Sequence, residues 1–124
     1  MTWVTQILAE YIYQLRSNDI PLSAQEMAKK CILDLVGSAI VGSSTSAARA
    51  VRDFSLKLFS AGPSSAWFLD SRLQAPAAAF VNSASASALD LDDGHRASGG
   101  HPGASIIPAA MAVAQEVQAE GKEL

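Results

Sequence analysis

The chain has 124 residues, a net charge of −3 and a hydrophobic content of 49%. That length builds one core rather than two, and that apolar content is foreign to a disordered chain. No basic run is present, which argues against nucleic acid or an anionic membrane surface as a partner. A small acidic molecule stays open, since one arginine or one helix terminus can hold a carboxylate.

The first helix is predicted over residues 3–16, where Val4, Ile7, Leu8, Tyr11, Ile12 and Leu15 recur at helical spacing. It has no basic leader and carries Glu10 and Gln14 inside the apolar pattern, unlike a signal peptide. No run reaches the roughly 18 apolar residues that suggest a membrane span. "RSNDIPL" ends the helix, because Asn18 and Asp19 form turns and Pro21 cannot continue it.

Ser23-Ala24-Gln25-Glu26 has the pattern of a capping box, opening a second helix to about Val41 with Gly42 as its stop. Met27, Ile32, Leu35, Val36, Ala39 and Ile40 give it a wide apolar stripe that implies burial on more than one side. Cys31, the one cysteine, lies in that stripe. It allows no disulfide within the chain, fits a reducing, cytoplasmic compartment, and reads as an inert core thiol.

Thr45 or Ser46 caps a third helix running to about Ser60. Val51, Phe54, Leu56, Leu58 and Phe59 supply its apolar side, while Arg49, Arg52, Asp53 and Lys57 form a solvated face. Gly62-Pro63 is expected to close it. Trp67-Phe68-Leu69 is expected to be briefly extended, with Asp70-Ser71 turning the chain. Pro76 then starts a helix of small residues, "APAAAFVNSASASALD", which lets neighbours approach closely. A last apolar helix covers "ASIIPAAMAVAQEVQAE", with Gly121 ending it and "KEL" opening a further element. The expected class is all-α: a bundle of about five helices in a single domain, 1–124.

Between the last two helices lies "ALDLDDGHRASGGHPG", where Asp90, Asp92, Asp93, His95, Arg96 and His101 concentrate. Aspartates and glycines also build ordinary solvated loops. Two features favour chemistry: the segment joins the two helices richest in small residues, and His101-Pro102 stands at a helix entrance that attracts anions. A metal site is disfavoured, because the spacing is neither H-x-x-x-H on a helix nor an EF-hand loop. Metal-free acid–base work fits better. A carboxylate and an imidazole facing one pocket can divide proton removal from carbon and proton return between them.

"ALDLDDGH…GGHPGASIIPAAMAVAQE", preceded by "AAAFVNSASASA" and, further upstream, "AKKCILDLVGSAIVGS", closely resembles the N-terminal part of the MmgE/PrpD family. The trailing "GKEL" is similar to the start of the next helix of that family. The resemblance covers nearly the whole chain. It implies part of a helical domain in a longer enzyme that works as a homodimer without metal or organic cofactor.

The implied chemistry is that of a lyase or isomerase: proton removal alpha to a carboxylate in a small di- or tricarboxylic acid. Dehydration, decarboxylation and epimerisation are the outcomes within the family, which includes 2-methylcitrate dehydratases, cis-aconitate decarboxylases and iminodisuccinate epimerases. The matching motif implies catalytic roles for His101, Asp92 and Asp93, with Asp90, His95 and Arg96 around the substrate. Many members have threonine after the two aspartates, whereas this chain has Gly94 and then His95, which leaves the reaction among the three open. The family's further lysine and histidine positions fall beyond Leu124, so the chain alone is expected to be inactive, to expose apolar faces, and to need a complementing chain or a second copy. The competing reading is a non-catalytic helical module that pairs through those faces.

Overall fold

A computed structural model describes residues 2–97 and 99–121. It contains five α-helices and one two-stranded hairpin: α1 (Val4–Gln14), α2 (Leu22–Gly42), α3 (Ser46–Leu58), β1 (Ala61–Ser65), β2 (Arg72–Leu73), α4 (Ala75–Ser87) and α5 (Pro102–Val117). A single 3₁₀ turn at Ser17–Asp19 links α1 to α2, where Asp19 Oδ2 accepts the Arg16 amide at 3.0 Å. The mostly-α bundle is thus present, with the hairpin as an addition. The further element expected at 122–124 lies outside the described residues.

The centre of the fold is α4, which packs against α2, α3 and α5. Its small residues explain the position. Ala75, Ala77, Ala78, Val81, Asn82, Ser85 and Ala86 are all buried and form one wide face of α4, while Pro76, Phe80 and Ser87 on the opposite side are exposed. On one side Leu35 and Ala39 of α2 meet Ala86 and Ala104, with Trp67 and Ile107 packed around them. On the other, Ala66, Leu73 and Ala112 join α4, flanked by Phe59 and Leu69. Helices of such small residues approach until backbones touch: a Cβ on Gly42 would overlap the Ser85 carbonyl oxygen.

The hairpin is stitched to α5 rather than left at the surface. Ser64 Oγ donates to the Ala112 carbonyl at 2.7 Å, and Gln115 Oε1 accepts the Ser65 amide at 2.7 Å. Glu116 Oε2 accepts the Ala75 amide at 2.8 Å, which places a carboxylate on the N-terminus of α4 where the helix dipole favours it. Asn82 ties α4 to the hairpin through both ends of its amide: Oδ1 accepts the Trp67 amide at 2.7 Å and Nδ2 donates to the Ser65 carbonyl at 3.0 Å.

Several local expectations are corrected. Residues 67–69 turn the chain, and the extended segment is Ala61–Ser65 instead, with Gly62-Pro63 inside it rather than closing α3. Gly62 is needed there because a Cβ would come within 2.6 Å of the amide nitrogen of Gln74, the residue that follows the paired strand and caps α4. No capping box forms at Ser23. The chain enters α2 two residues earlier, with Pro21 in the cap position, and Glu26 pairs with Lys29 at 2.6 Å. At α3, Thr45 is the cap, its hydroxyl accepting the Ala48 amide at 3.2 Å. The helix buries Ala48 and Ser55, while Phe54, Leu56 and Leu58 of its expected apolar side are exposed. Gln118, in the left-handed conformation (φ 57°), ends α5 before Gly121 is reached.

Much apolar surface is uncovered. No residue of α1 is buried, and Ile7, Leu8, Tyr11 and Ile12 face outward. The accessible surface is 8618 Å², against about 6,300 Å² expected for a compact chain of this mass. The excess exceeds the roughly 800 Å² that each partner contributes to an ordinary protein interface. Among the described residues no single helix is long and apolar enough to cross a membrane.

Candidate active site at the entrance of α5

The acidic segment follows directly from the end of α4. Ala88 is the helix cap, and Asp90 takes the left-handed conformation (φ 56°) that reverses the chain. Aspartate tolerates this region better than most residues, because its short polar side chain can bond locally. His95 and Gly100 then pair across a tight loop: the His95 amide donates to the Gly100 carbonyl at 2.9 Å. Gly99, at φ 62°, supplies the turn and donates to the His95 carbonyl at 3.0 Å. This pairing returns the chain to His101, the cap residue of α5, with Pro102 in the first helical position.

His101 is held on both edges of its ring. Nδ1 lies 3.2 Å from the Asp92 carbonyl oxygen and 3.5 Å from Asp92 Oδ1, and Nε2 lies 3.2 Å from Asp90 Oδ1. A carbonyl oxygen can only accept, so the bond to Asp92 puts a proton on Nδ1. The Asp92 contact is the inner one and the Asp90 contact the outer. The Asp92 side chain is 1% exposed, the His101 side chain 39% and the Asp90 side chain 86%. Both Asp92 carboxylate oxygens and Asp93 Oδ1 are buried without a hydrogen-bond partner among the described residues. Buried carboxylates in that state are costly, and such groups gather where chemistry is done.

Asp93 leans on the first turn of α5, where a Cβ on Gly103 would overlap its Oδ1. A glycine is therefore required at that point for the carboxylate to reach the positive end of the helix. Asp93 also lines an open cleft of about 350 Å³ between α2 and α5. Ala28, Cys31 and Ile32 form one wall, and Pro102, Gly103, Ile106, Ile107, Ala110 and Met111 form the other.

Of the six residues singled out in the sequence, the structure brings Asp90, Asp92 and His101 into contact and leans Asp93, from the preceding loop, against the first turn of α5. His95 and Arg96 are exposed in the loop between. Cys31 departs from expectation: it is half-buried on the cleft wall rather than sunk in the core. Helical periodicity placed it on an apolar stripe but could not show that this part of α2 faces a cleft. Among the described residues no group of three or more His, Cys, Asp or Glu side chains is arranged to hold a metal ion.

The family model described as the MmgE/PrpD N-terminal domain matches residues 6–124. The chain belongs to the MmgE/PrpD family. Among curated relatives, a cis-aconitate decarboxylase-like protein of Aspergillus oryzae is 34% identical over 95% of the chain and 24% of its own length. The cis-aconitate decarboxylase of Mus musculus is 32% identical over 90% of the chain and 23% of its own length. That of Aspergillus terreus is 28% identical over 98% of the chain and 25% of its own length. This MmgE/PrpD chain therefore spans about a quarter of the length of the curated relatives it matches.

Proposed function

We propose that the chain carries the acid–base site of a lyase or isomerase that acts on a small tricarboxylic acid of the cis-aconitate type. The observation that carries this is His101, fixed at Nδ1 by the Asp92 carbonyl, with Nε2 turned to the exposed side at the entrance of α5. The names of the relatives supply the substrate class, and the shared family supplies its chemistry.

In this reading His101 Nε2 is the working nitrogen. In a decarboxylation, the carbon–carbon bond to the leaving carboxylate breaks and its electron pair stays on the substrate carbon. A proton from Nε2 then quenches that carbanion. In a dehydration or epimerisation the same nitrogen first removes the proton next to the carboxylate. Asp92 orients the ring and supports its charged form through the 3.5 Å approach to Nδ1. Asp93 is the second acid–base group, and Asp90, His95 and Arg96 form the rim that meets the substrate. Arg96 is the residue of that rim suited to pair with a carboxylate.

Thermal unfolding of the chain with a panel of di- and tricarboxylates tests this. A ligand that binds only the folded state, present at 100 times its Kd, adds about 2.7 kcal/mol of stability. A melting temperature raised by cis-aconitate and related acids, and not raised in His101→Asn, is the expected result. Indifference of the melt to every acid would contradict it. The bare face of α1 favours a second reading, a helical module that pairs through its apolar surface. That reading expects concentration-dependent oligomers and no response to the acids.

A further inference from the structure

The carboxylate reading of His101 leaves a physical conflict at its outer edge. An anionic substrate must bring a carboxylate, or the carbon beside one, to Nε2. That place is already occupied by a carboxylate, Asp90 Oδ1 at 3.2 Å. Two carboxylates cannot share one N–H donor without repelling each other, so one must leave when the other arrives.

The two acids on the ring differ in their freedom to leave. Asp92 is buried and its contact at Nδ1 includes a main-chain carbonyl, which is fixed by the fold. The Asp90 side chain is 86% exposed, so it gives up little packing and regains water if it rotates away. Its backbone, at φ 56°, is set by the reversal after α4 and need not change for the side chain to swing. The ring's chemistry points the same way. With Nδ1 protonated for the Asp92 carbonyl, a neutral ring presents a lone pair at Nε2, which repels Asp90. A protonated ring presents an N–H, which attracts it.

We propose that Asp90 is a built-in competitor at a carboxylate subsite formed by His101 Nε2, displaced whenever a substrate carboxylate binds there. The inference rests on the proposed function and changes the role of one residue within it. Asp90 belongs to the rim, and its part is to weaken ground-state binding at the working nitrogen and to re-cover that nitrogen when the site empties.

The test uses propane-1,2,3-tricarboxylate, a saturated acid that offers carboxylates without a reaction. Its affinity is measured by calorimetry for the unmodified chain, for Asp90→Asn and for Asp90→Gly. Both replacements tolerate the left-handed backbone, so the turn survives in each. Asp90→Asn and Asp90→Gly are expected to bind the acid roughly three- to tenfold more tightly, the scale of removing one like charge at a solvent-exposed site. Asp70→Asn, a charge removed elsewhere on the surface, is expected to leave the affinity unchanged. In the unmodified chain the Asp90 carboxyl carbon resonance is expected to move at saturation. Equal or weaker binding by both Asp90 variants, or an unmoved Asp90 resonance, overturns the competitor role while leaving a carboxylate site in place. Absence of binding in all the proteins overturns the carboxylate reading and the competitor role together.

Discussion

Gly42→Ala tests the feature on which the bundle depends most, the contact between the end of α2 and the last turn of α4. Its Cβ would overlap the Ser85 carbonyl oxygen, and it would sit 3.2 Å from the Ser85 carbonyl carbon and 3.3 Å from Ala88 Cβ. The oxygen belongs to the backbone of a buried helix and cannot rotate away. Carbon–oxygen contacts settle at about 3.3 Å or more, so the helices must part by about 1 Å. Overfilling a packed core costs about 1–3 kcal/mol. Alanine recovers little of this through helix propensity at the last position of α2. A net loss of about 2 kcal/mol lowers the melting temperature by about 6–12 °C for a domain of this size. Gly37→Ala on the same helix is the control. Nothing lies within 4 Å of its Cβ, so it should gain about 0.5–1 kcal/mol and melt a few degrees higher. Thermal unfolding followed by circular dichroism reads both. A Gly42→Ala chain as stable as the unmodified one would refute the close approach of α2 and α4.

Asn82→Ala leaves the Trp67 amide and the Ser65 carbonyl without their partner in a buried place. A loss of about 2–4 kcal/mol is expected in chemical denaturation, and an unchanged midpoint would remove Asn82 as the tie between α4 and the hairpin. Asp92→Asn removes a buried charge whose two oxygens lack hydrogen-bond partners. It keeps the main-chain carbonyl that His101 uses. It is expected to raise stability by on the order of 1 kcal/mol while lowering activity in a catalytically complete enzyme. A destabilised Asp92→Asn chain would show that the carboxylate is compensated in the fold.

Local signals were readable wherever a side chain acts on its own neighbours. Thr45 caps α3 as its position implies, and Pro76 stands in the first turn of α4. The small residues of α4 announced close packing, and the segment from Asp90 to His101 stood out as the place where ionisable residues gather. What was hidden depends on residues far apart in the chain. The pattern Ala61–Ser65 becomes a strand because Arg72 and Leu73 pair with it, and Gln115 and the Ala112 carbonyl of α5 anchor the resulting hairpin. The hydrophobic periodicity of α1 and α3 predicted buried faces, but what this chain actually covers on α3 is Ala48 and Ser55, and on α1 nothing. Within the site, composition identified the six ionisable residues without ranking them. Only the fold shows that Asp92 lies beneath His101, Asp90 outside it and Asp93 against the first turn of α5.

The most direct test of His101 as the working acid–base group is a long-range proton–nitrogen NMR spectrum of its ring during addition of cis-aconitate. Nδ1 is expected to carry a proton throughout, bound to the Asp92 carbonyl, while the Nε2 resonance moves to saturation as the acid binds. A neutral ring protonated at Nε2 with a bare Nδ1, or an Nε2 resonance indifferent to the acid, would contradict the account.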